Sequence, residues 1–162
     1  MATKVGDSLP ADVKLKEMGE GGPKDVPVGE LFKGKRVVLF AVPGAFTPTC
    51  SMKHLPGFVQ QAGALKTKGV DEIVCLSVND AFVMGAWARD QSVPDGIHML
   101  ADSNGAFAKA LGLEFDGTPF GMGLRAKRFA LYAEDGVVKQ LHVEAPGEFK
   151  VSSAEYVLEH LA

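Results

Sequence analysis

The chain has 162 residues, 46% of them hydrophobic and 23% charged, with a formal net charge of −3. This length and composition favour one globular domain, residues 1–162, over a disordered or fibrous chain. Lysines and acids are interspersed and no basic patch is present, so neither nucleic acid nor a membrane surface is an expected partner. No stretch suits a membrane span and the first residues lack an apolar signal core, so we expect a cytoplasmic protein.

Strand and helix patterns alternate after a loose, turn-rich opening. Two apolar runs, 36–42 and 71–78, predict buried strands, and the segment 97–101 predicts a shorter strand. Three helical patterns follow them: 58–69, 81–91 and 104–113. Asn79 or Asp80 can cap the second of these helices, and Asp102 or Ser103 can cap the third.

The last third of the chain predicts a hairpin and a helix. The segment 128–144 reads as two strands around a Glu-Asp-Gly turn, and Ser152 with Glu155 forms a capping box for a helix over 152–161. Crossover helices imply parallel neighbouring strands, whereas the hairpin adds antiparallel ones. We therefore expect an α/β, thioredoxin-like fold, with a mixed central sheet and helices on both faces.

The first buried strand stops abruptly at the segment PGAFTPTC, residues 43–50. Pro43 cannot donate to a sheet ladder, so the strand should end there. Thr47 followed by Pro48 is a helix-start signal, which places Cys50 in the first helical turn. Unpaired backbone N–H groups and the helix dipole at such a position lower the pKa of cysteine thiols and favour the nucleophilic thiolate. With only two cysteines in the chain, this pattern favours thiol chemistry in a reducing compartment.

Pro43, Thr47 and Cys50 match the P-x-x-x-T-x-x-C signature of peroxiredoxins, thiol peroxidases that reduce hydroperoxides. The longer segment VVLFAVPGAFTPTCSMKHLPGF resembles the type II (atypical two-cysteine) branch, and later segments are similar to its plant cytosolic members. The likeness covers about residues 5 to 160. It implies that hydrogen peroxide or an alkyl hydroperoxide oxidises Cys50 to a sulfenic acid, with no metal and no other cofactor.

The resemblance also implies roles for the residues around the thiol. Thr47 would hydrogen-bond the thiolate or a peroxide oxygen, and the N–H groups of Thr49 and Cys50 would face the same point. Pro43 would shield the site from bulk water. His54, four residues after Cys50, is expected on the same helix face as a supporting or surface residue.

A distant arginine completes the family's site. Arg128 matches that position, although Arg125 lies close enough in sequence to be confused with it. We favour Arg128, because a fixed guanidinium beside the sulfur would stabilise the thiolate and polarise the peroxide. Phe46 and Phe120 either form an apolar wall for organic hydroperoxides or belong to the ordinary core.

Two roles are open for Cys75. It either resolves the sulfenic acid by forming an intramolecular disulfide, as the matching cysteine of type II members can, or packs inertly in a central strand. In the second case glutathione with glutaredoxin, or thioredoxin, would regenerate Cys50. The resemblance also implies a homodimer.

Two other functions compete with the peroxidase. A disulfide oxidoreductase is disfavoured because the segment CSMK at Cys50 lacks the second cysteine of a C-x-x-C motif. A redox-sensing binding module, whose oxidised Cys50 signals to a partner protein, needs the same reactive thiol. Catalytic turnover with peroxide and thiol separates the sensor from the enzyme.

Overall fold

The computed structural model describes residues 2–161 of the protein. Its strands are β1 (Lys14–Gly19), β2 (Gly22–Pro27), β3 (Arg36–Val42), β4 (Glu72–Ser77), β5 (Ile97–Ala101), β6 (Glu114–Asp116), β7 (Leu124–Ala126), β8 (Phe129–Glu134) and β9 (Val137–Val143). Its α-helices are α1 (Val28–Phe32), α2 (Leu55–Thr67), α3 (Ala81–Asp90), α4 (Ala106–Leu111) and α5 (Ala154–His160). A π-helical turn, Cys50–His54, leads directly into α2, and a 3₁₀ turn spans Thr118–Phe120.

Seven strands form one mixed sheet in the order β2-β1-β5-β4-β3-β8-β9. The central strands β3, β4 and β5 are parallel to one another, whereas the outer pairs are antiparallel. Val42 is paired with Ser77, so the carboxyl ends of β3 and β4 lie side by side. The loops that follow parallel strands gather at this end of the strands, where the candidate site lies.

Apolar cores lie on both faces of the sheet. Successive side chains of β3 alternate between them, because neighbouring residues of a strand point to opposite faces. One core packs against α1 and α4, and the other against α2, α3 and α5. The mixed sheet with helices on both faces is therefore confirmed. Across residues 2–161, no helix is both long enough and apolar enough to span a bilayer.

The opening segment differs from its expectation as a loose region. β1 and β2 pair as an antiparallel hairpin, and β1 joins β5 at the side of the sheet. β2 is an edge strand that contains Pro23 and Pro27 and no fully buried residue. Such a strand lacks the apolar alternation on which a sequence-based prediction depends, because prolines and polar residues protect sheet edges from further pairing.

The helix caps agree with the sequence at two places and differ at a third. Asp80 caps α3 by accepting a hydrogen bond from the N–H of Val83 at 2.8 Å. The carboxylate of Asp102, one of two residues predicted to cap α4, accepts hydrogen bonds from two N–H groups of that helix, although Gly105 occupies the N-cap position. The predicted capping box at Ser152 is wrong, since Ser153 caps α5 and the Ser152 hydroxyl instead donates to Glu144 at 2.6 Å.

Candidate active site

The turn after β3 has little free space. β3 ends at Val42, before Pro43, as predicted from the sequence. A Cβ atom on Gly44 would lie 3.0 Å from Nη1 of Arg125 and 3.1 Å from Cγ2 of Thr47, so a larger residue would push these side chains aside. Arg125 also donates to the carbonyl of Pro43 at 3.4 Å, and its guanidinium therefore packs on the outside of the turn.

Hydrogen bonds tie the rest of this loop to neighbouring elements. The N–H of Ala45 donates at 3.0 Å to Oδ1 of Asn79, which follows β4. Phe46 has a φ of 66°, a left-handed conformation that is uncommon for a bulky residue and that the anchored loop maintains. At the start of the π-helical turn, the Ser51 hydroxyl accepts from the indole N–H of Trp87 at 3.0 Å. The loop thus holds the helix start in a fixed position relative to the sheet.

Cys50 opens the π-helical turn and its thiol is fully buried. The N–H of Leu55 donates to the Cys50 carbonyl, which is the wide pattern that defines a π-helix. Arg128 lies directly before β8, and its Nη2 donates to Sγ of Cys50 at 3.1 Å. Arg128, favoured from the sequence over Arg125, is thus the arginine that the structure places at the thiol.

Arg128 has a second partner in His54, the last residue of the π-helical turn. Nη1 of Arg128 donates to Nδ1 of His54 at 2.8 Å, while Nε2 of His54 lies 2.8 Å from the carbonyl oxygen of Ser152. A carbonyl only accepts, so the proton of the neutral ring is assigned to Nε2 and the lone pair of Nδ1 faces the guanidinium. Burial and the charge of Arg128 lower the pKa of His54 to about 3, so the ring is neutral near pH 7.

Aromatic rings enclose this pair. The ring centroids of Phe40 and Phe149 each lie 5.0 Å from that of His54, and the Arg128 guanidinium lies 5.9 Å from the Phe149 ring. Low polarity around the guanidinium strengthens its interaction with the sulfur. The sequence placed His54 only as a supporting or surface residue, and its spacing from Cys50 was the one signal of its role.

Thr47 and Thr49 are both half-buried near the thiol. The Thr47 hydroxyl donates to the carbonyl of Gly44 at 2.7 Å, which leaves its oxygen lone pairs as acceptors. Its main-chain carbonyl accepts from the N–H of Ser51 at 2.9 Å in the first helical turn. Thr49 has helical backbone angles directly before Cys50. The donor roles of both threonines stay predictions.

Phe46 and Phe120, the residues of the predicted apolar wall, are exposed by 52% and 71%. The Phe46 ring lies 6.4 Å from that of the buried Trp87, and the Phe120 ring lies 6.3 Å from that of Phe115. Neither phenylalanine therefore belongs to the ordinary core, and the wall that they would form is still a prediction.

Cys75 lies in the middle of the sheet. It sits on β4 between Phe40 of β3 and Met99 of β5, and its side chain is fully buried. Burial, together with negative charge at Cys50, raises the pKa of the Cys75 thiol well above its usual range, and the smaller opposing effect of Arg128 does not offset this. Both cysteines are free thiols. Within residues 2–161, no cluster of three or more His, Cys, Asp or Glu side chains could hold a metal ion.

Comparison with known proteins agrees with this geometry. A family model described as Redoxin matches residues 4–158. Peroxiredoxin-2B of Arabidopsis thaliana is 52% identical over 158 residues, which is 97% of each chain. The chain is a type II peroxiredoxin. Its similarity to chloroplastic Peroxiredoxin-2E of the same plant is 51% identity over 97% of this chain and 68% of the relative.

Solved structures support the same assignment. The peroxiredoxin superposes on reduced Prx3 from Vibrio vulnificus, in complex with hydrogen peroxide, with a TM-score of 0.94 at 52% identity over 99% of each chain. Oxidised Prx3 from the same organism gives a TM-score of 0.90 at 53% identity. Peroxiredoxins are thiol peroxidases, so this peroxiredoxin is an oxidoreductase that reduces hydroperoxides with thiol reductants of the thioredoxin type.

Proposed function

We propose that Cys50 is the peroxidatic residue and that hydrogen peroxide and alkyl hydroperoxides are its substrates. The observation that carries this proposal is the 3.1 Å hydrogen bond from Nη2 of Arg128 to Sγ of Cys50. A partly buried guanidinium at this distance favours a negative sulfur over a neutral thiol. The similarity to Prx3, whose structure holds hydrogen peroxide, supports that oxidant as one substrate.

In the proposed reaction, the Cys50 thiolate attacks one peroxide oxygen, an S–O bond forms and the O–O bond breaks. The sulfur loses two electrons and becomes a sulfenic acid, while the departing oxygen takes a proton and leaves as water or an alcohol. Arg128 and the N–H groups of Thr49 and Cys50 would stabilise the charge that develops on the oxygens, and the Thr47 hydroxyl would join them by turning its proton from the Gly44 carbonyl to a peroxide oxygen. Pro43 would limit the access of water.

His54 supports this step as a neutral acceptor. Its Nδ1 binds one N–H of Arg128 and leaves another N–H of the same guanidinium directed at the sulfur. Because the pKa of His54 is about 3, the ring is neutral near pH 7, so it accepts from Arg128 and adds no second positive charge beside the sulfur. The single positive charge of Arg128 is thus available to the thiolate and the peroxide.

An external thiol is the proposed reductant of the sulfenic acid, either glutathione with glutaredoxin or thioredoxin. Cys75 is paired on both sides within the sheet, and its pKa is raised by burial. A disulfide requires Cα atoms within about 7 Å and Cβ atoms that face each other. A resolving role would also require that a protonated, fully buried thiol react, which is unfavourable because the thiolate is the nucleophile.

A homodimer in the cytoplasm is the proposed state of the enzyme. Large apolar side chains that a partner could cover are exposed at the surface: Phe46, Met52, Phe82 and Phe120. The two free thiols suit a reducing compartment. The redox-sensing binding module is not favoured, because the relatives named above are peroxiredoxins rather than signalling modules.

Rapid mixing of the reduced protein with one equivalent of hydrogen peroxide tests the proposal. Trp87 fluorescence follows the reaction, since its indole N–H is bound to Ser51, the residue next to Cys50. Quenched samples of wild type and Cys75→Ser are then analysed by mass. We expect rapid oxidation of Cys50 and a sulfenic acid in both proteins.

Other outcomes separate the parts of the proposal. A wild-type product two hydrogens lighter than the reduced protein, absent from Cys75→Ser, would make Cys75 the resolving residue and exclude an obligatory external thiol at that step. Oxidation of Cys50 no faster than that of free cysteine at the same pH would contradict the peroxidatic role itself.

A further inference from the structure

Glu144 is a buried carboxylate, 7% exposed, that follows the last residue of β9. Its carboxylate accepts hydrogen bonds from the main-chain N–H groups of Lys150, Val151 and Ser152 at 2.8–2.9 Å, and from the Ser152 hydroxyl at 2.6 Å. Burial opposes ionisation of Glu144, but these hydrogen bonds outweigh it and lower the pKa of the carboxyl. Three consecutive N–H groups on one carboxylate hold the segment 150–152 in a single orientation.

This orientation has a direct consequence at the candidate active site. The N–H of Ser152 is bound to Glu144, and the carbonyl of the same residue accepts from Nε2 of His54 at 2.8 Å. Glu144 thus determines where the acceptor for His54 lies. The loop between them also carries Phe149, whose ring packs against His54 and beside the Arg128 guanidinium.

The contacts close a ring around the active site. The main-chain N–H of Glu144 donates to the carbonyl of Arg128 at 3.0 Å. The connections therefore run from Arg128 to His54, to Ser152, to Glu144 and back to Arg128. Glu144 contacts neither the thiol of Cys50 nor its guanidinium partner through its side chain in the hydrogen bonds found among the described residues.

We propose that Glu144 is a positioning residue for the peroxidase reaction. Its carboxylate holds the 150–152 segment so that the Ser152 carbonyl keeps the proton of His54 on Nε2. Nδ1 is then an acceptor, and it aligns Arg128 on the sulfur of Cys50. If the carbonyl turned away, a proton on Nδ1 would oppose the N–H of the guanidinium, and Arg128 would move away from the thiol.

The role of Glu144 rests on the proposed function, because it acts through Arg128 and Cys50. Glu144→Gln tests it, since glutamine preserves the shape of the side chain but replaces one acceptor oxygen with a donor. We expect the second-order rate constant with hydrogen peroxide to fall by about ten- to a hundredfold, as displacement of a catalytic group by 1 Å can produce. The pH at half-maximal rate should move upward, because a displaced Arg128 stabilises the thiolate less.

Glu148→Gln is the matched control. Glu148 lies in the same loop, but its carboxylate pairs at 2.7 Å with the exposed ammonium group of Lys150. The same change of charge at that position should leave the rate constant and its pH profile at wild-type values. A general loss of negative charge from the loop would instead affect both variants alike.

The imidazole nitrogen chemical shifts of His54, measured by NMR, provide a readout that loss of stability alone does not change. In the wild type we expect a protonated Nε2 and an unprotonated Nδ1. In folded Glu144→Gln we expect a mixture of tautomers. A wild-type tautomer together with a wild-type rate constant would overturn the positioning role.

Ser152→Ala replaces Glu144→Gln if the latter does not fold. It removes one hydrogen bond to the Glu144 carboxylate and keeps the main-chain N–H donors, so we expect about a threefold loss of rate and a detectable second tautomer. No change in either readout would overturn the proposal. If the wild type itself reacts slowly, the peroxidase assignment of Cys50 fails. If the wild type reacts fast and the variants react equally fast, only the role of Glu144 fails.

Discussion

Cys50 and Cys75 share one apolar core and are equally buried, yet their surroundings are opposite. Cys50 has a guanidinium N–H 3.1 Å from its sulfur. Cys75 lies between two apolar strands, and burial raises its pKa well above the usual range. Because the two thiols are equally buried, burial alone does not distinguish them. We expect the directed donor at Cys50 to decide which thiol reacts, because it supplies the stabilisation of charge that an apolar core withholds.

The two backbones contribute to the same contrast. In the middle of a sheet, the N–H groups around Cys75 are occupied by the ladders to β3 and β5. In the first turn of a helix, N–H groups have no partner within the helix and can face a negative sulfur or oxygen. A break after β3 therefore converts the end of a strand into a place where a thiol can react.

Exchange of the two cysteines for serine gives the largest expected effect. Cys50→Ser should lower the rate of peroxide reduction by more than about 10⁴-fold, because the hydroxyl that replaces the thiol is not a nucleophile at neutral pH. Cys75→Ser should keep most of the wild-type rate, measured as peroxide consumed in the presence of thiol. Comparable losses in the two folded variants would remove the contrast between the cysteines.

Substitution of the two arginines tests whether the N–H donors of Arg128 are what we expect to make Cys50 more reactive than Cys75. Arg128→Lys should lower the second-order rate constant with hydrogen peroxide by about 10²-fold, because one ammonium group cannot replace two N–H groups directed at Cys50 and His54. Arg125→Lys is the matched control. Arg125 binds the carbonyls of Met122 and Pro43 rather than the thiol, so we expect a loss below about tenfold. An equal loss in the control would assign the effect to the turn instead.

The central strands and the β8–β9 hairpin could be predicted from the sequence, whereas the β1–β2 hairpin and the β6–β7 pair could not. β3, β4 and β5 are buried on both faces and read as continuous apolar runs, and the turn at Asp135 and Gly136 adopts the positive φ angles of a tight hairpin. β2, β6 and β7 are short or polar, and although β2 pairs with the preceding β1 and β6 with β7, none of the three shows the apolar alternation that predicts a strand. Their stability depends on tertiary contacts that local patterns do not contain.

The residues of the candidate site also divide into those that the sequence could predict and those that it could not. Thr47 and Cys50 are prominent because their motif is contiguous, and Arg128 was found through the family resemblance. The His54 interaction spans 98 residues to Ser152, so no local pattern shows it. The capping pattern predicts Ser152 as a helix cap, but its hydroxyl donates instead to Glu144, an acceptor that lies outside the helix, 8 residues earlier in the chain.

The smallest expected effect concerns His54, whose ring is neutral near pH 7 although it lies beside the charged Arg128 at Cys50. The pKa of His54 is about 3 in the folded protein and about 6.5 in the unfolded chain. Between those values the unfolded chain binds a proton at this position that the folded protein does not. The stabilisation is therefore complete above pH 6.5 and is lost as the pH falls, with a slope of up to about 1.4 kcal/mol per pH unit.

His54→Gln removes this titration, because a glutamine amide can accept from Arg128 and donate to Ser152 without taking up a proton. Free energies of unfolding in urea, measured for both proteins at several pH values from 4 to 8, should therefore converge as the pH falls. Other groups titrate equally in the two proteins, so the difference between the curves isolates His54. Parallel curves would mean that His54 takes up a proton in the folded protein as readily as in the unfolded chain, and below about pH 6.5 Arg128 would then share its position beside Cys50 with a second positive charge.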